Sequence, residues 1–288
     1  MNHYDQVIAD AVQTVVRKQT DVGVDVVSDG EQSKISYATY IKHRLNGFDG
    51  DSPRRTPKDL EEYPAFSKRA SSSGGVPTYS RPQCVGPISV KDLKPLEVDL
   101  QNFKHALSVS EATDAFMNAA SPGVIAQFQP NQHYPDHSSY LYALADAMKV
   151  EYEGIAEAGL VIQIDSPDLA LGRHVLFKDQ SDEEFVAMAE LHIEALNHAL
   201  QNIPAEQLRL HVCWGNYQGP HHCDIEMKKI LPAVLKAKPM ALSFEGANPR
   251  HSHEWSVFRD AKIPENKVLI PGVLDSTTNF VEHPELVA

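Results

Sequence analysis

Cysteines, basic side chains and long apolar runs are all scarce in this chain of 288 residues, and each scarcity excludes a class of protein. The three cysteines, Cys84, Cys213 and Cys223, are too few and too scattered for a disulfide framework, which predicts a reducing, cytoplasmic setting. No run is long enough to predict a membrane span, and the start, MNHYDQVIADAVQ, lacks the apolar centre of a signal peptide. We therefore expect a soluble protein without a membrane partner.

The charge balance is acidic, with 26 lysines and arginines against 39 aspartates and glutamates and a formal net charge of −13. A chain with this excess of negative charge is repelled by the phosphate backbone of nucleic acids. We expect small-molecule ligands rather than a nucleic-acid partner. The oligomeric state has no signature in the sequence.

Short apolar runs alternate with longer amphipathic stretches along most of the chain. Six runs read as strands, which we place at 24–28, 123–128, 160–165, 208–213, 241–245 and 267–273. Helical patterns cover 4–18, 140–158, 182–200 and 224–236, with Ser181 as a predicted N-cap. Alternating strands and helices predict an α/β fold with a parallel sheet.

Two features favour a TIM-type (β/α)8 barrel over a doubly wound sheet. No strand is followed by the glycine-rich turn of nucleotide-binding sheets. Polar residues stand instead at the ends of nearly every predicted strand, where a barrel carries its chemistry. We expect residues 1–288 to form a single barrel domain, interrupted by a loop-rich insertion at about 49–83. Its Pro, Ser and Gly content predicts a solvated excursion, with a lid over the active face as the alternative.

His211, Cys213 and Glu245 are the candidate metal ligands. His211 and Cys213 are two residues apart on a predicted strand, so their side chains leave the same face, and Glu245 ends the next strand. Imidazole and thiolate are ligands that zinc prefers. As an isolated pair, His211 and Cys213 would be read as core residues, but Glu245 at the matching position favours a zinc site.

Glu31 and Asp165 also end predicted strands and point across the same mouth, where carboxylates bind cationic groups. The alternative is a helix-capping or loop-stabilising role. His221, His222 and Cys223 offer a second possible metal site, although histidines near Gly and Pro are more often surface residues. His251 is expected in an exposed loop.

The sequence resembles the catalytic barrel of the cobalamin-independent methionine synthase family. The resemblance is carried, in order along the chain, by DVGVDVVSDGE (21–31), QIDSPDLA (163–170), HVCWGN (211–216), LSFEGANPRH (242–251) and PGVLDSTT (271–278). It implies zinc held by His211, Cys213, Glu245 and a further cysteine near the last strand. It also implies homocysteine bound by its sulfur to zinc and by its amino group to Glu31 and the catalytic Asp165, with a methyltetrahydrofolate as methyl donor and no use of cobalamin.

The chain departs from this family pattern in three ways. The family's first strand and its last strand with the further cysteine are missing, so the six strands correspond to barrel strands two to seven, as in a fragment. Thr277 stands where the family has a histidine thought to protonate the leaving group. The motif after the ligand pair is closer to a single-barrel branch that includes epoxyalkane:coenzyme M transferase.

Three alternatives to methyl transfer therefore remain open. The first is zinc-dependent alkyl transfer to another thiol, such as coenzyme M. The second is a degenerate barrel that binds a small molecule without a metal. The third is a zinc hydrolase that uses Glu245 as a base beside an open metal position.

Overall fold

The computed structural model describes residues 3–53, 55–72 and 81–288 of the chain. The strands in these segments are β1 Val26–Ser28, β2 Leu45–Asp49, β3 Gln83–Val90, β4 Asp114–Ala120, β5 Val161–Asp165, β6 Leu208–Val212, β7 Ala241–Glu245 and β8 Val268–Gly272. Six of them form one parallel sheet in the order β1-β4-β5-β6-β7-β8, while β2 and β3 pair as an antiparallel hairpin.

Helices pack against one face of the parallel sheet. The helices of the described segments are α1 His3–Asp21, α2 Lys58–Glu62, α3 Pro64–Ser72, α4 Lys94–Ser108, α5 Pro122–Phe128, α6 His137–Glu157, α7 Gly172–Val175, α8 Asp182–Ala199, α9 Met227–Val234, α10 Trp255–Asp260 and α11 Pro284–Val287. Along this face α1 packs on α4, α6 on α8, and α8 on α9.

The two faces of the sheet differ in chemistry because side chains alternate along each strand. The helix-covered face is apolar and buried, with Val27, Met117, Ile162, Leu210 and Leu242 at its centre. Intervening positions point to the opposite face, where polar side chains are common and burial is intermediate. The hydrophobic core is thus on the helix side, and the opposite face is left for chemistry.

The predicted six-stranded parallel sheet is confirmed, but one strand was wrongly placed. The run 123–128 is the helix α5, and the strand lies just before it, at Asp114–Ala120. Ser121 caps α5 by accepting the Val124 N–H at 3.0 Å, and Pro122 stands in its first turn. Short apolar runs fit a buried helix as well as a strand, and here the capping residues decide.

The other predicted elements agree with the structure within a few residues at their ends. Ser181 caps α8 as predicted, and Glu184 completes a capping box by accepting the Ser181 N–H at 2.7 Å. An eight-stranded closed barrel is more than the described residues contain, since their parallel sheet has six strands. No helix in the described segments is long and apolar enough to cross a membrane.

The segment predicted as a loop-rich insertion is partly helical. It includes α2 and α3, and the first strand residue after it is Gln83. Residues 54 and 73–80 of this segment lie outside the described residues. Asp59 in α2 is fully buried, so this part of the segment packs against the rest of the protein and is not a solvated excursion.

Candidate functional site

The candidate residues gather at the carboxyl ends of neighbouring strands. Asp165 at the end of β5 is in register with His211 on β6, and His211 with Ser243 on β7. Residues paired in this way point to the same face of a parallel sheet. Glu245 lies two residues beyond Ser243 and therefore shares that face. The strand-end positions predicted from the sequence are those that the fold brings together.

The Glu245 carboxylate is turned toward the end of β6. One oxygen accepts the backbone N–H of Trp214 at 3.1 Å, and the other accepts a hydrogen bond from the Asn248 side chain. Trp214 directly follows Cys213, so the carboxylate and the thiol are close neighbours. Asn248 is buried and fixes the orientation of Glu245 from the loop after β7.

No cation among the described residues acts on the Cys213 thiol. Burial raises the pKa of its thiol to about 12, and the negative charge of Glu245 contributes to this rise. Without a cation the thiol is therefore neutral at physiological pH. A bound metal ion would reverse this balance, because it favours thiolate and carboxylate together.

The convergence of the three predicted metal ligands is incomplete. His211, Cys213 and Glu245 are not among the described sets of side chains whose ligand atoms all lie within 4.8 Å of one another. Their donor chemistry fits zinc, and their strand positions agree with a shared ion. Their assignment as ligands remains a prediction.

Asp165 is held in a fixed orientation by two amides on the same face of the sheet. Its carboxylate accepts hydrogen bonds from Asn118 at 2.9 Å and from Gln163 at 3.0 Å. Only 6% of Asp165 is exposed. The arrangement presents a buried anion at the strand ends.

Glu31 faces the same region from the loop after β1. Burial raises its pKa, and the nearby charges of Asp165 and Asp29 add to the rise, while Lys34 opposes it. Glu31 Oε1 is buried without a hydrogen-bond partner, although Lys34 Nζ lies 3.5 Å away. The backbone of Glu31 is left-handed, with φ of 54°, a conformation that costs energy in a non-glycine residue. Backbone strain together with a buried carboxylate oxygen that lacks a hydrogen bond is typical of a ligand-binding position.

The chain is similar to known proteins both in sequence and in fold. The chain is 28% identical to a methionine synthase of Saccharolobus solfataricus over 238 residues, which are 81% of the chain and 61% of that protein. It is 29% identical over 209 residues to a methionine synthase of Sulfurisphaera tokodaii, covering 72% of the chain and 52% of the relative. The B12-independent methionine synthase of a Shewanella species, solved in complex with selenomethionine, has a similar fold, with a TM-score of 0.71 at 21% identity over 100% of the chain and 76% of that structure. No family model matches the chain.

The chain is thus similar in sequence to proteins named methionine synthase and similar in fold to a B12-independent methionine synthase. It spans about 61% of the length of the S. solfataricus relative. The residues that carried the family resemblance in the sequence lie at the strand ends described above.

The structure adds polar residues that sequence reasoning did not single out. Lys34 has a side chain only 2% exposed and donates to the Asn118 carbonyl at 2.5 Å, which places a buried cation beside Glu31. Asn118 and Gln163 were detectable in principle, because Gln163 is two residues before Asp165 on the same strand. The sequence spacing of Lys34 and Asn248 does not indicate that they lie near the site.

Thr277, at the position where the family resemblance implied a histidine, makes a local hydrogen bond. Its hydroxyl donates to Asp275 at 2.6 Å, and this contact lowers the pKa of Asp275. Asp275 is therefore ionised near pH 7, and a threonine hydroxyl is too weak an acid to serve as a general acid there.

His251 is buried, and its expected exposure was wrong. Its ring stacks on Trp214 with centroids 3.9 Å apart, and it contacts Asp224 at 2.7 Å and Glu254 at 3.0 Å. Burial alone would lower its pKa, but these hydrogen bonds outweigh burial and raise it to about 9. His251 is therefore a protonated clamp between the loops after β6 and β7.

Proposed function

We propose that this protein transfers a methyl group from a methyltetrahydrofolate to the thiol of homocysteine, with zinc as cofactor and without cobalamin. The relatives named methionine synthase support this proposal. The observation that carries it is the register of β5 with β6, which sets the buried carboxylate of Asp165 beside His211. Asp165 thus offers a negative charge for the amino group of homocysteine. Beside it, His211 offers a nitrogen ligand for the metal that would bind the homocysteine sulfur.

His211, Cys213 and Glu245 would hold the zinc ion. When bound, zinc supplies the positive charge that lets a substrate thiol lose its proton near neutral pH. Cys213 supports this role because its thiol is buried beside the Glu245 carboxylate with no protein cation to stabilise a thiolate. Asn248 and the Trp214 N–H keep Glu245 turned toward the thiol.

Asp165 and Glu31 would bind the ammonium group of homocysteine. Asn118 and Gln163 hold Asp165 in place, so little side-chain entropy is lost on binding. Glu31 Oε1, buried and without a hydrogen-bond partner, has capacity for one further donor. With the amino group fixed, the sulfur attacks the methyl carbon, the carbon–nitrogen bond breaks, and the folate nitrogen takes up a proton.

One observation favours a second candidate, alkyl transfer to a different thiol. The Thr277 hydroxyl is committed to Asp275, so the protein side chain that would protonate a folate nitrogen is lacking at this position. An epoxide needs less help of this kind, because the ring opening itself releases strain. Transfer from an epoxide to coenzyme M is therefore the alternative.

The finer features of the fold belong to the same proposal. We infer that the six-stranded sheet is part of an eight-stranded barrel and that the described segments form one domain with an insertion at about 49–83. A cytoplasmic location and small-molecule partners accord with methyl transfer. The fold of the Shewanella relative supports the barrel.

A direct assay tests the function. Zinc-loaded protein is incubated with a polyglutamylated methyltetrahydrofolate and homocysteine, and methionine formation is measured with and without added cobalamin. We expect zinc-dependent, cobalamin-independent methionine formation. An epoxide with coenzyme M is the parallel reaction, and thioether formation only there would replace the first proposal with the second.

A further inference from the structure

A second group of metal-type side chains surrounds Asp59, away from the predicted zinc ligands. The Asp59 carboxylate is fully buried where α2 meets the loop after β6. Its Oδ1 accepts the Cys223 N–H at 2.7 Å and lies 3.2 Å from His222 Nδ1. Its Oδ2 lies 3.6 Å from His174 Nε2. One buried carboxylate thus has two imidazoles and a cysteine around it.

His174 is the unexplained member of this group. Its side chain has no solvent exposure, and neither ring nitrogen has a hydrogen-bond partner. Nδ1 lies 3.1 Å from Asp224 Oδ1, which also lacks a hydrogen bond. Buried polar atoms without partners are rare in proteins because each costs free energy. A ligand bound at Asp59 would lie beside these unsatisfied atoms.

The spacing and the chemistry match a transition metal. Ligands about 2.1 Å from a tetrahedral zinc ion lie roughly 3.4 Å from one another, and Asp59 Oδ1 lies 3.2 Å from His222 Nδ1. The ligand atoms of Asp59, His222 and Cys223 all lie within 4.8 Å of one another. His174 approaches the other oxygen of the same carboxylate. Carboxylate, imidazole and thiolate form a typical zinc donor set.

An outer carboxylate orients His222 for this role. Glu62 Oε2 lies 2.7 Å from His222 Nε2, so a proton on Nε2 leaves the Nδ1 lone pair facing Asp59. Metal-binding histidines usually hold their second nitrogen in this way.

The neighbouring histidines do not need an ion. His221 is hydrogen-bonded to Asp224 at 2.9 Å and to the Tyr217 carbonyl at 3.1 Å. His251 is bonded to Asp224 and Glu254. Each ring has both nitrogens satisfied by protein atoms, so these two residues are left out of the ligand set.

We propose that Asp59, His222 and Cys223 bind a second transition-metal ion of the zinc class. His174 lies beside the other oxygen of the Asp59 carboxylate. The three ligands come from α2 and from the loop after β6, so the ion joins two segments far apart in the sequence. Its role is to fasten the helical part of the 49–83 segment to the loop that follows Cys213.

Cobalt binding in a Cys213→Ser background tests this site separately from the proposed catalytic one. Metal-free Cys213→Ser protein is titrated with Co(II), and the sulfur-to-cobalt charge-transfer band is recorded. We expect the band at one cobalt per chain, its loss in Cys213→Ser/Cys223→Ser, and its retention in the matched control Cys84→Ser/Cys213→Ser. Absence of the band from Cys213→Ser, or its survival without Cys223, would overturn the proposal whatever the outcome of the methyl-transfer assay.

A half-exposed ligand provides a second variant that should still fold. His222 has 43% of its side chain exposed, so His222→Gln removes a ligand with little loss of packing. We expect zinc affinity at this site to fall at least tenfold in competition with a chelator, with an unchanged circular-dichroism spectrum. Unchanged affinity in the Cys213→Ser/His222→Gln protein would contradict the assigned ligand set.

Discussion

At the scale of single residues, Cys213 decides whether the strand ends form a metal site. The thiol is neutral without a cation, because burial and Glu245 hold its pKa at about 12. Cys213→Ser should remove the zinc bound with His211 and Glu245 and reduce methyl transfer at least a hundredfold, since a hydroxyl is a poor zinc ligand. Zinc content by elemental analysis and methionine formation are measured together.

The matched control for this variant is Cys84→Ser. Cys84 is buried and lies in β3, and its sulfur contacts the Gly86 carbonyl at 3.4 Å, a contact for which a serine hydroxyl is also a suitable donor. Cys84→Ser should keep both metal and activity. Full zinc occupancy in Cys213→Ser/Cys223→Ser protein would show that neither cysteine is a ligand.

Asp165→Asn tests the amino-group site. The substitution removes a charge that two amides hold in place, and loss of a charge-assisted hydrogen bond costs about 1.5–3 kcal/mol. We expect the KM for homocysteine to rise at least tenfold while zinc content stays constant. The comparison substrate is 4-mercaptobutanoate, which lacks the amino group. An equal rise in KM for both thiols would mean that Asp165 does not bind the ammonium group of homocysteine.

At the scale of elements, the sequence predicted strands well and their surroundings poorly. Period-two spacing put His211 and Cys213 on one face, and the structure has β6 where that spacing required it. The apolar content of residues 123–128 predicted a strand. The N-cap at Ser121 makes this run a helix instead.

The polar surroundings of the site were harder to foresee, because they come from distant parts of the chain. Lys34 reaches Asn118 across 84 positions, and Asp59 reaches Cys223 across 164. Contacts between such distant residues leave no periodic pattern in the sequence. Asp59 also lies in a segment whose composition suggested solvated loops. Composition averages over a segment and does not reveal one carboxylate that is buried by a tertiary contact.

The clamp formed by His251 joins two loops and should make stability depend on pH. Because its folded pKa of about 9 lies above the ordinary value of 6.5, the clamp stabilises the protein fully below about pH 6.5 and loses this contribution as pH rises through 9. The free energy of unfolding of wild type should therefore exceed that of His251→Gln by about 1–3 kcal/mol at pH 6, and the excess should shrink by pH 9.5. Urea denaturation at both pH values measures it, with the exposed His253→Gln as control. A difference independent of pH would show that His251 is not a charged clamp.

At the scale of the whole molecule, the two proposed metal groups would reinforce two different junctions. His211, Cys213 and Glu245 would link the ends of β6 and β7, which already pair in the sheet, and the Asp59 group would link α2 to the loop between β6 and α9. The two groups share one connecting segment, residues 213–223, whose ends would be fixed by separate ions. The acidic chain, with a net charge of −13, also repels itself less when cations are bound.

Zinc should therefore raise the thermal stability of the whole chain. A ligand that binds only the folded state at about 100 times its Kd stabilises by about 2.7 kcal/mol per site, which corresponds to a Tm increase of roughly 5 °C or more for a chain of this size. We expect the increase with zinc but not with magnesium, which prefers oxygen ligands. It should fall by about half in Cys213→Ser and disappear in Cys213→Ser/Cys223→Ser. A zinc-dependent shift that persists in the double variant would place the stabilising ion elsewhere, because both groups would then lack their thiolate.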